Sequence, residues 1–343
     1  MRGLDPPIHV FGATTKSWMA GTSPAMTSST SSRNALSAVL PQAMGPKTWL
    51  AYALATTILW GVWGAFTGLP EERGFPETLV YCVWSLTMLP PAIYALARAD
   101  WQLDRDARSI IDGMIIGLLG AGGQMVLFYA VKIGPPYLIF PVISLSPIVT
   151  IALSYLLLRE RTNNVGTAGI VLALIALPLF DFSLEGLSEG GRLGWFLLSL
   201  IVMAAWGVQA YYMKAANQHM RAESIFFYMT VAGILLAPIA YAMTDFSRPI
   251  NWGVDGPYLA AATQMLNAIG ALTLVYAFRY GQAIVVSPLT NAGAPLMTAV
   301  ISLVVIGAFP SRLKLVAIAL ACIAALLLAL TPEEDPKAKP SEP

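Results

Sequence analysis

From residue 48 onward the chain is a succession of apolar runs about 20 residues long, separated by short polar breaks that carry most of the charge. A helix rises about 1.5 Å per residue, so about 20 apolar residues cross a hydrocarbon core about 30 Å thick. Ten runs meet that length, at approximately 48–68, 77–97, 109–131, 136–158, 165–182, 193–213, 223–243, 257–278, 283–306 and 313–331. The breaks, such as Arg98 to Arg108 and Arg159-Glu160-Arg161, are too short to hold a soluble domain. The pattern predicts an all-α membrane protein of ten transmembrane helices, with the lipid bilayer as its first partner. Residues 1–46 are rich in Ser, Thr, Gly and Pro and hold no apolar run of signal-peptide length. They read as a disordered leader or a mis-called start, with Met44 as the expected initiator. The Pro-, Glu- and Lys-rich segment 332–343 reads as a disordered cytoplasmic tail.

The two halves of the apolar region repeat each other. At an offset of 146, Trp60-Gly61-Val62 falls on Trp206-Gly207-Val208, and Glu77-Thr78-Leu79 on Glu223-Ser224-Ile225. At 147, Tyr129-Ala130-Val131-Lys132-Ile133-Gly134 falls on Tyr276-Ala277-Phe278-Arg279-Tyr280-Gly281, and Pro141 on Pro288. Each half holds five spans, an odd number, so the second copy must enter the membrane from the opposite side. The expected architecture is two inverted five-helix repeats, 47–182 and 183–331. Such repeats are the geometric basis of alternating access, with a substrate site at their interface near the midplane.

Within the first repeat, Phe128 to Phe180 carries the Tyr129-Ala130 pair ahead of Gly134, a helix centred on Pro147, a Leu-rich end running into Glu160-Arg161, and Gly166 and Gly169 beyond it. This stretch resembles the EamA-type members of the drug/metabolite transporter superfamily, and the resemblance extends over about 48–331. It implies a ten-helix carrier, and export of small metabolites, amino acids or drugs. The second copy departs from the pattern, because Ile306-Gly307-Ala308 stands where Arg159-Glu160-Arg161 would recur. Any role of Glu160 is therefore not duplicated.

Composition narrows the chemistry. The chain is 57% hydrophobic and 11% charged, against about 25% charged in a soluble domain, which excludes an ordinary water-soluble enzyme and disorder alike. A net charge of +1 supplies no field to recruit nucleic acid. Cys82 and Cys322 lie in apolar runs as packing residues, and the two histidines, His9 and His219, are too few for a metal or catalytic cluster. The expectation is a protein with no cofactor, no metal and no catalytic residues, a monomer or homodimer whose soluble partner is a small-molecule substrate. Counted over alternate loops, 14 Lys and Arg fall on the side of both termini and six on the other. This excess places both ends in the cytoplasm and the chain in the inner (plasma) membrane as a multi-pass protein.

Ionisable groups deep in a span mark ion pathways by default, and the middle thirds of the ten runs contain none. Asp112 sits one turn inside the third run, spaced i, i+4 from Arg108 for a helix-end pair. Glu160, between Arg159 and Arg161, reads as an interfacial residue. Glu77 and Glu223 open the second and seventh runs, where a carboxylate suits a helix N-terminus; inversion would set them at opposite mouths as gating residues.

Recognition is left to neutral polar groups, aromatic faces and freed backbone. Gln124, Gln209, Gln264 and Asn267 lie well inside spans and need a cavity or another helix. Trp60 and Trp206, at equivalent positions about a dozen residues into their runs, suit cavity walls better than the headgroup belt, and Trp63 joins the first. Gly61, Gly64, Gly117, Gly120 and Gly123 have the spacing of close helix contact. The fourth and ninth runs each hold two prolines, Pro141 and Pro147, and Pro288 and Pro295. Each proline frees a carbonyl, at Tyr137, Ile143, Ile284 and Asn291. Short polar side chains accompany them, Ser144 and Ser146 in one run and Thr290 and Asn291 in the other. The expected binding residues are thus Trp60, Gln124, Ser144, Ser146, Trp206, Gln209, Gln264, Thr290 and Asn291. The function expected is a secondary transporter exporting a small neutral or zwitterionic solute. Uptake of a solute such as a sugar is the alternative, and a channel or a structural membrane protein the remoter one.

Overall fold

The computed structural model describes residues 47–134, 136–181, 194–306 and 311–331, so the expected leader and tail lie outside the described residues. In chain order the helices are α1 (Thr48–Phe66), α2 (Leu69–Glu72), α3 (Glu77–Thr87), α4 (Leu89–Arg98), α5 (Ala107–Ile133), α6 (Pro136–Ile143), α7 (Ser146–Leu153), α8 (Asn164–Asp181), α9 (Gly194–Ala216), α10 (Ala222–Ala242), α11 (Leu259–Tyr280), α12 (Ala283–Ile306) and α13 (Arg312–Ala329). No strand occurs among the described residues. With no water in a bilayer core to bond a bare backbone, an all-helical chain is the arrangement these apolar runs can adopt.

Among the described residues, eight helical stretches are long and apolar enough to span a membrane. The fourth and fifth runs are shorter, as Ser146–Leu158 and Asn164–Leu179. The break in the fourth lies at Ser144-Leu145. Leu145 has φ −81° and ψ 3°, and Pro147 follows at the start of α7, where its missing N–H is tolerated. The ninth run behaves differently, because α12 continues unbroken through both Pro288 and Pro295. The two proline pairs, equivalent by position in the repeats, differ in the structure: only the first coincides with a break in its helix.

The packing has a two-fold logic. The first helix of each half inserts against the third and fourth of the other: α1 lies on α11 and α12, and α9 on α5 and α7. Helix α8 pairs with α13, and the second helices follow the same exchange, α10 on α5 and α3 on α11. At both crossings a glycine admits the partner backbone. A Cβ on Gly207 would meet the Val149 Cβ at 2.5 Å and the Ser146 carbonyl at 2.6 Å; one on Gly61 would overlap the Met297 Cβ and approach the Ala294 carbonyl. Threonines seal the same places, Thr298 donating to the Gly61 carbonyl (2.9 Å) and Thr150 to the Gly207 carbonyl (3.0 Å). In lipid, where apolar burial between helices drives little, close van der Waals approach and such bonds, about 0.6 kcal/mol each, hold helices together. Large apolar residues such as Val304 (77% exposed) and Leu156 (68%) face outward, as in a protein whose solvent is hydrocarbon.

Gly207→Val is expected to lower the detergent-solubilised melting temperature, by the equivalent of about 1–3 kcal/mol of overpacking. Gly122→Ala, at a glycine with open space around it, should leave melting unchanged. Equal melting of the two variants would remove the crossing from the account of stability.

Candidate functional site: a cavity between the two halves

The interlocked helices enclose a cavity of about 780 Å³ whose walls come from both halves. Its aromatic surfaces are Trp60, Trp63, Trp84, Trp206, Phe140 and Phe278. Two indoles hold equivalent places: Trp60 Nε1 donates to the Asn267 carbonyl and Trp206 Nε1 to the Gly120 carbonyl, each at 3.3 Å. Each ring lies against a glycine, Gly270 and Gly123 respectively, where a Cβ would come within 2.5–2.6 Å of the ring. The indole N–H groups are thus satisfied by backbone and the ring faces are left to line the space.

Eight of the nine expected binding residues line this cavity: Trp60, Gln124, Ser144, Ser146, Trp206, Gln209, Thr290 and Asn291. Gln264 is placed elsewhere. It accepts from Trp63 Nε1 (3.2 Å) and donates to Thr67 Oγ1 (3.3 Å), so it braces a wall residue from behind. Several polar groups of the cavity are already engaged. Gln209 donates to the Ile116 carbonyl (3.1 Å), Thr290 to the Val286 carbonyl (2.9 Å) and Asn291 to the Ser287 carbonyl (2.9 Å). The last two are side-chain bonds to the carbonyl four residues earlier within α12 itself, next to Pro288. The side-chain amides of Gln124 and Asn267, half-buried on the cavity wall, form no hydrogen bond among the described residues. Lys314, exposed near the start of α13, contributes the one charge among the described lining residues.

Sequence reasoning passed over Trp84, Met213, Met229, Phe278 and Thr298 as cavity residues. Nothing in their spacing separates a cavity face from a helix-packing face, and which face is left uncovered follows from how the helices cross. The expected gating pair also divides. Glu223 accepts a hydrogen bond from Tyr276 Oη (2.6 Å) and lines a second, separate cleft, while Glu77 opens α3 and lines neither space.

The cavity is unequal at its two ends. Trp49 at the start of α1 packs on Gly281, between α11 and α12, so the start of α1, the end of α11 and the start of α12 share one end of the bundle. The cavity reaches the opposite end, where Thr67 and the exposed Ser311 and Lys314 line it. Toward the Trp49 end it stops at Met213, Phe278 and Ser287. Behind those residues Glu160 is buried (7% exposed), accepting from the Ile284 N–H at 3.1 Å with Lys214 Nζ 3.9 Å away; Lys214 donates in turn to the Gly281 carbonyl at 2.6 Å. The interfacial reading of Glu160 is therefore corrected: its carboxylate turns inward onto the N-terminus of α12, where the helix dipole and a cation both favour it. Asp112 pairs with Arg108 as expected (3.7 Å) and also lies 3.1 Å from His219 Nε2.

The fold and cavity define a multi-pass helical membrane protein with its pocket between two related halves. The EamA-like transporter family model matches the chain twice, at residues 47–180 and 193–330, and the chain belongs to that family. It is similar to protein RarD of Streptomyces exfoliatus, 24% identical over 260 residues, covering 72% of this chain and 75% of that protein. A 78-residue stretch is 32% identical to an uncharacterized protein of Methanocaldococcus jannaschii, covering 23% of this chain and 57% of that protein. A solved crystal structure superposes with a TM-score of 0.68 at 19% identity, over 83% of this chain and 98% of that one, and shares the fold.

Removing the Glu160 carboxylate leaves a buried ammonium and a helix N-terminus without it. Glu160→Ala is expected to destabilise by about 3–5 kcal/mol, the usual cost of breaking a buried pair by deleting one partner. Glu160→Ala/Lys214→Met should melt higher than Glu160→Ala alone. A double variant no more stable than the single one would show that the two side chains are energetically independent.

Proposed function

We propose that this chain is a secondary carrier that exports a small neutral or zwitterionic metabolite, amino acid or drug by alternating access, with ten spans arranged as two inverted repeats. The observation that carries the reading is the cavity itself. It sits where the halves of a twice-matching transporter family interlock, and its two unspent amides, Gln124 and Asn267, stand among indole walls. Amides and aromatic faces bind a neutral or internally compensated solute without the cost of burying a net charge. The excess of Lys and Arg on the side of both termini supports an inner-membrane orientation with both ends cytoplasmic. In that orientation the Trp49 end faces the cytoplasm, and the cavity that reaches Ser311 and Lys314 opens outward.

In this mechanism substrate enters and leaves between α1, α9 and the proline-bearing helices α7 and α12. The Glu160–Lys214 layer seals the cytoplasmic side until α12 and the Gly281 turn move away from it. Ser144, Ser146, Thr290 and Asn291 line the path beside the break at Leu145, and Glu77 and Glu223 serve as gating residues at the two ends.

A melting screen of the purified protein against a metabolite panel, followed by counterflow of the hits in vesicles, tests the proposal. Gln124→Leu, Asn267→Leu and Asn291→Leu should each reduce counterflow at least about tenfold, equivalent to about 1.4 kcal/mol of transition-state binding, with folding retained. Normal counterflow in all three would send the site elsewhere. A C-terminal reporter active only in the periplasm would reverse the orientation, and identical cysteine-accessibility changes in Glu77→Gln and Glu223→Gln would reduce both to helix caps.

A further inference from the structure

Helix α11 separates two spaces. Asn267, Ala271, Leu274 and Phe278 face the central cavity, while Met265, Ile269, Leu272, Tyr276 and Tyr280 face a second cleft of about 740 Å³ on the opposite side of the helix. The two spaces share no lining residue. The second cleft runs along α11 from Met265 to Tyr280, about 22 Å at 1.5 Å per residue, with α11 as its floor and α1 and α4 contributing to its walls.

The cleft is polar at one end only. Arg98 in the last turn of α4, Glu223 in the first turn of α10 and Tyr280 at the end of α11 gather at the Trp49 end of the bundle. There Tyr52 is stacked on Tyr276 (ring centroids 5.0 Å apart) and on Tyr280 (5.8 Å), and Tyr276 holds the Glu223 carboxylate through its hydroxyl. Toward mid-bundle the lining becomes apolar, with Leu272, Ile269 and Met265. On the flanking helices Leu54 (45% exposed) and Ile58 (50%) of α1 and Ile93 (52%) of α4 are outward-facing apolar residues, and Tyr94, on the cleft wall, is 65% exposed. The site thus offers a carboxylate among aromatic rings, a guanidinium, and a long apolar trough beside helix faces that meet hydrocarbon.

We propose that this cleft is a binding site for a zwitterionic phospholipid of the ammonium-headgroup class, in a position to bear on the central cavity through α11. A carboxylate held by a tyrosine hydroxyl beside a stack of aromatic rings suits an ammonium, a guanidinium pairs with a phosphate through charge-assisted bonds, and the trough matches an acyl chain. The apolar flanks commit the site to a bilayer lipid rather than a free phosphoamine, because the chain is presented from the hydrocarbon side while the headgroup meets Arg98 and Glu223 at the helix ends. An anionic lipid would place no cation against Glu223. The inference goes beyond the carrier reading and is tested by lipid binding, which does not depend on transport.

The purified full chain in detergent is titrated with dioleoyl phosphatidylethanolamine, dioleoyl phosphatidylglycerol and glycerophosphoethanolamine, with melting temperature and lipid adducts in native mass spectra as readouts. Phosphatidylethanolamine should raise the melting temperature and give a retained one-lipid adduct. Phosphatidylglycerol should give less than half the shift, and the chainless headgroup none. Arg98→Gln and Glu223→Gln should each at least halve the phosphatidylethanolamine shift, and adduct occupancy on the folded fraction gives the same comparison if a variant melts low. Equal shifts from the two lipids, a full shift from the headgroup alone, or undiminished adducts in both variants would overturn the proposal.

Discussion

Close approach of backbones at the two glycine crossings is the constraint on which the rest of the molecule depends. Inside a bilayer the gain from hiding apolar side chains is already supplied by lipid, so helices must be held by short-range contact and hydrogen bonds. Gly61 and Gly207 let α1 and α9 sink into the opposite half, and Thr298 and Thr150 fasten them there. Once those crossings are set, Trp60 and Trp206 fall against Gly270 and Gly123, and the rings prop the walls apart around an open centre.

The same exchange makes the halves similar in packing and different in chemistry. Trp63 stands at the position that Gln209 holds in the second half, and each is tied to a different partner, the Gln264 amide in one case and the Ile116 carbonyl in the other. Glu160 reaches across to the N-terminus of α12, while Gly307 stands at the corresponding place in the sequence of the second half. One end of the cavity is therefore backed by an ion pair and a capped helix, and the other is lined by exposed Ser311 and Lys314. A scaffold built twice from one plan gains a direction where the two copies differ in charge.

Helix α11 connects the two spaces because its opposite faces line them. Leu272 and Leu274, and Tyr276 and Phe278, stand two residues apart on opposite faces of this one helix, so the cleft and the cavity share a wall without sharing a lining residue. This arrangement also explains why Tyr276 and its neighbours are aromatic at a place where the first half has Tyr129: the ring in the second half is built into a stacked group with Tyr52 and Tyr280, whereas Tyr129 is 50% exposed.

The linear pattern alone determined the helical class, the approximate bounds of the apolar segments, the repeat and the family resemblance, because each rests on local hydropathy or on residues compared at a fixed offset. Most of the residues singled out for the cavity were legible for the same reason: an amide or indole in the middle of an apolar run has few ways to be satisfied. Which of them spend their hydrogen bonds on the protein, as Gln209 and Gln264 do, and which keep them among the described residues, as Gln124 does, was decided only by tertiary packing, since it depends on groups far away in sequence. The inward turn of Glu160 belongs to the same class, as its partners at Ile284 and Lys214 lie more than 50 residues away. The difference between the broken fourth run and the continuous α12 is likewise tertiary in origin. Proline removes one hydrogen bond in either case, and the surrounding helices decide whether the chain bends open there or stays helical.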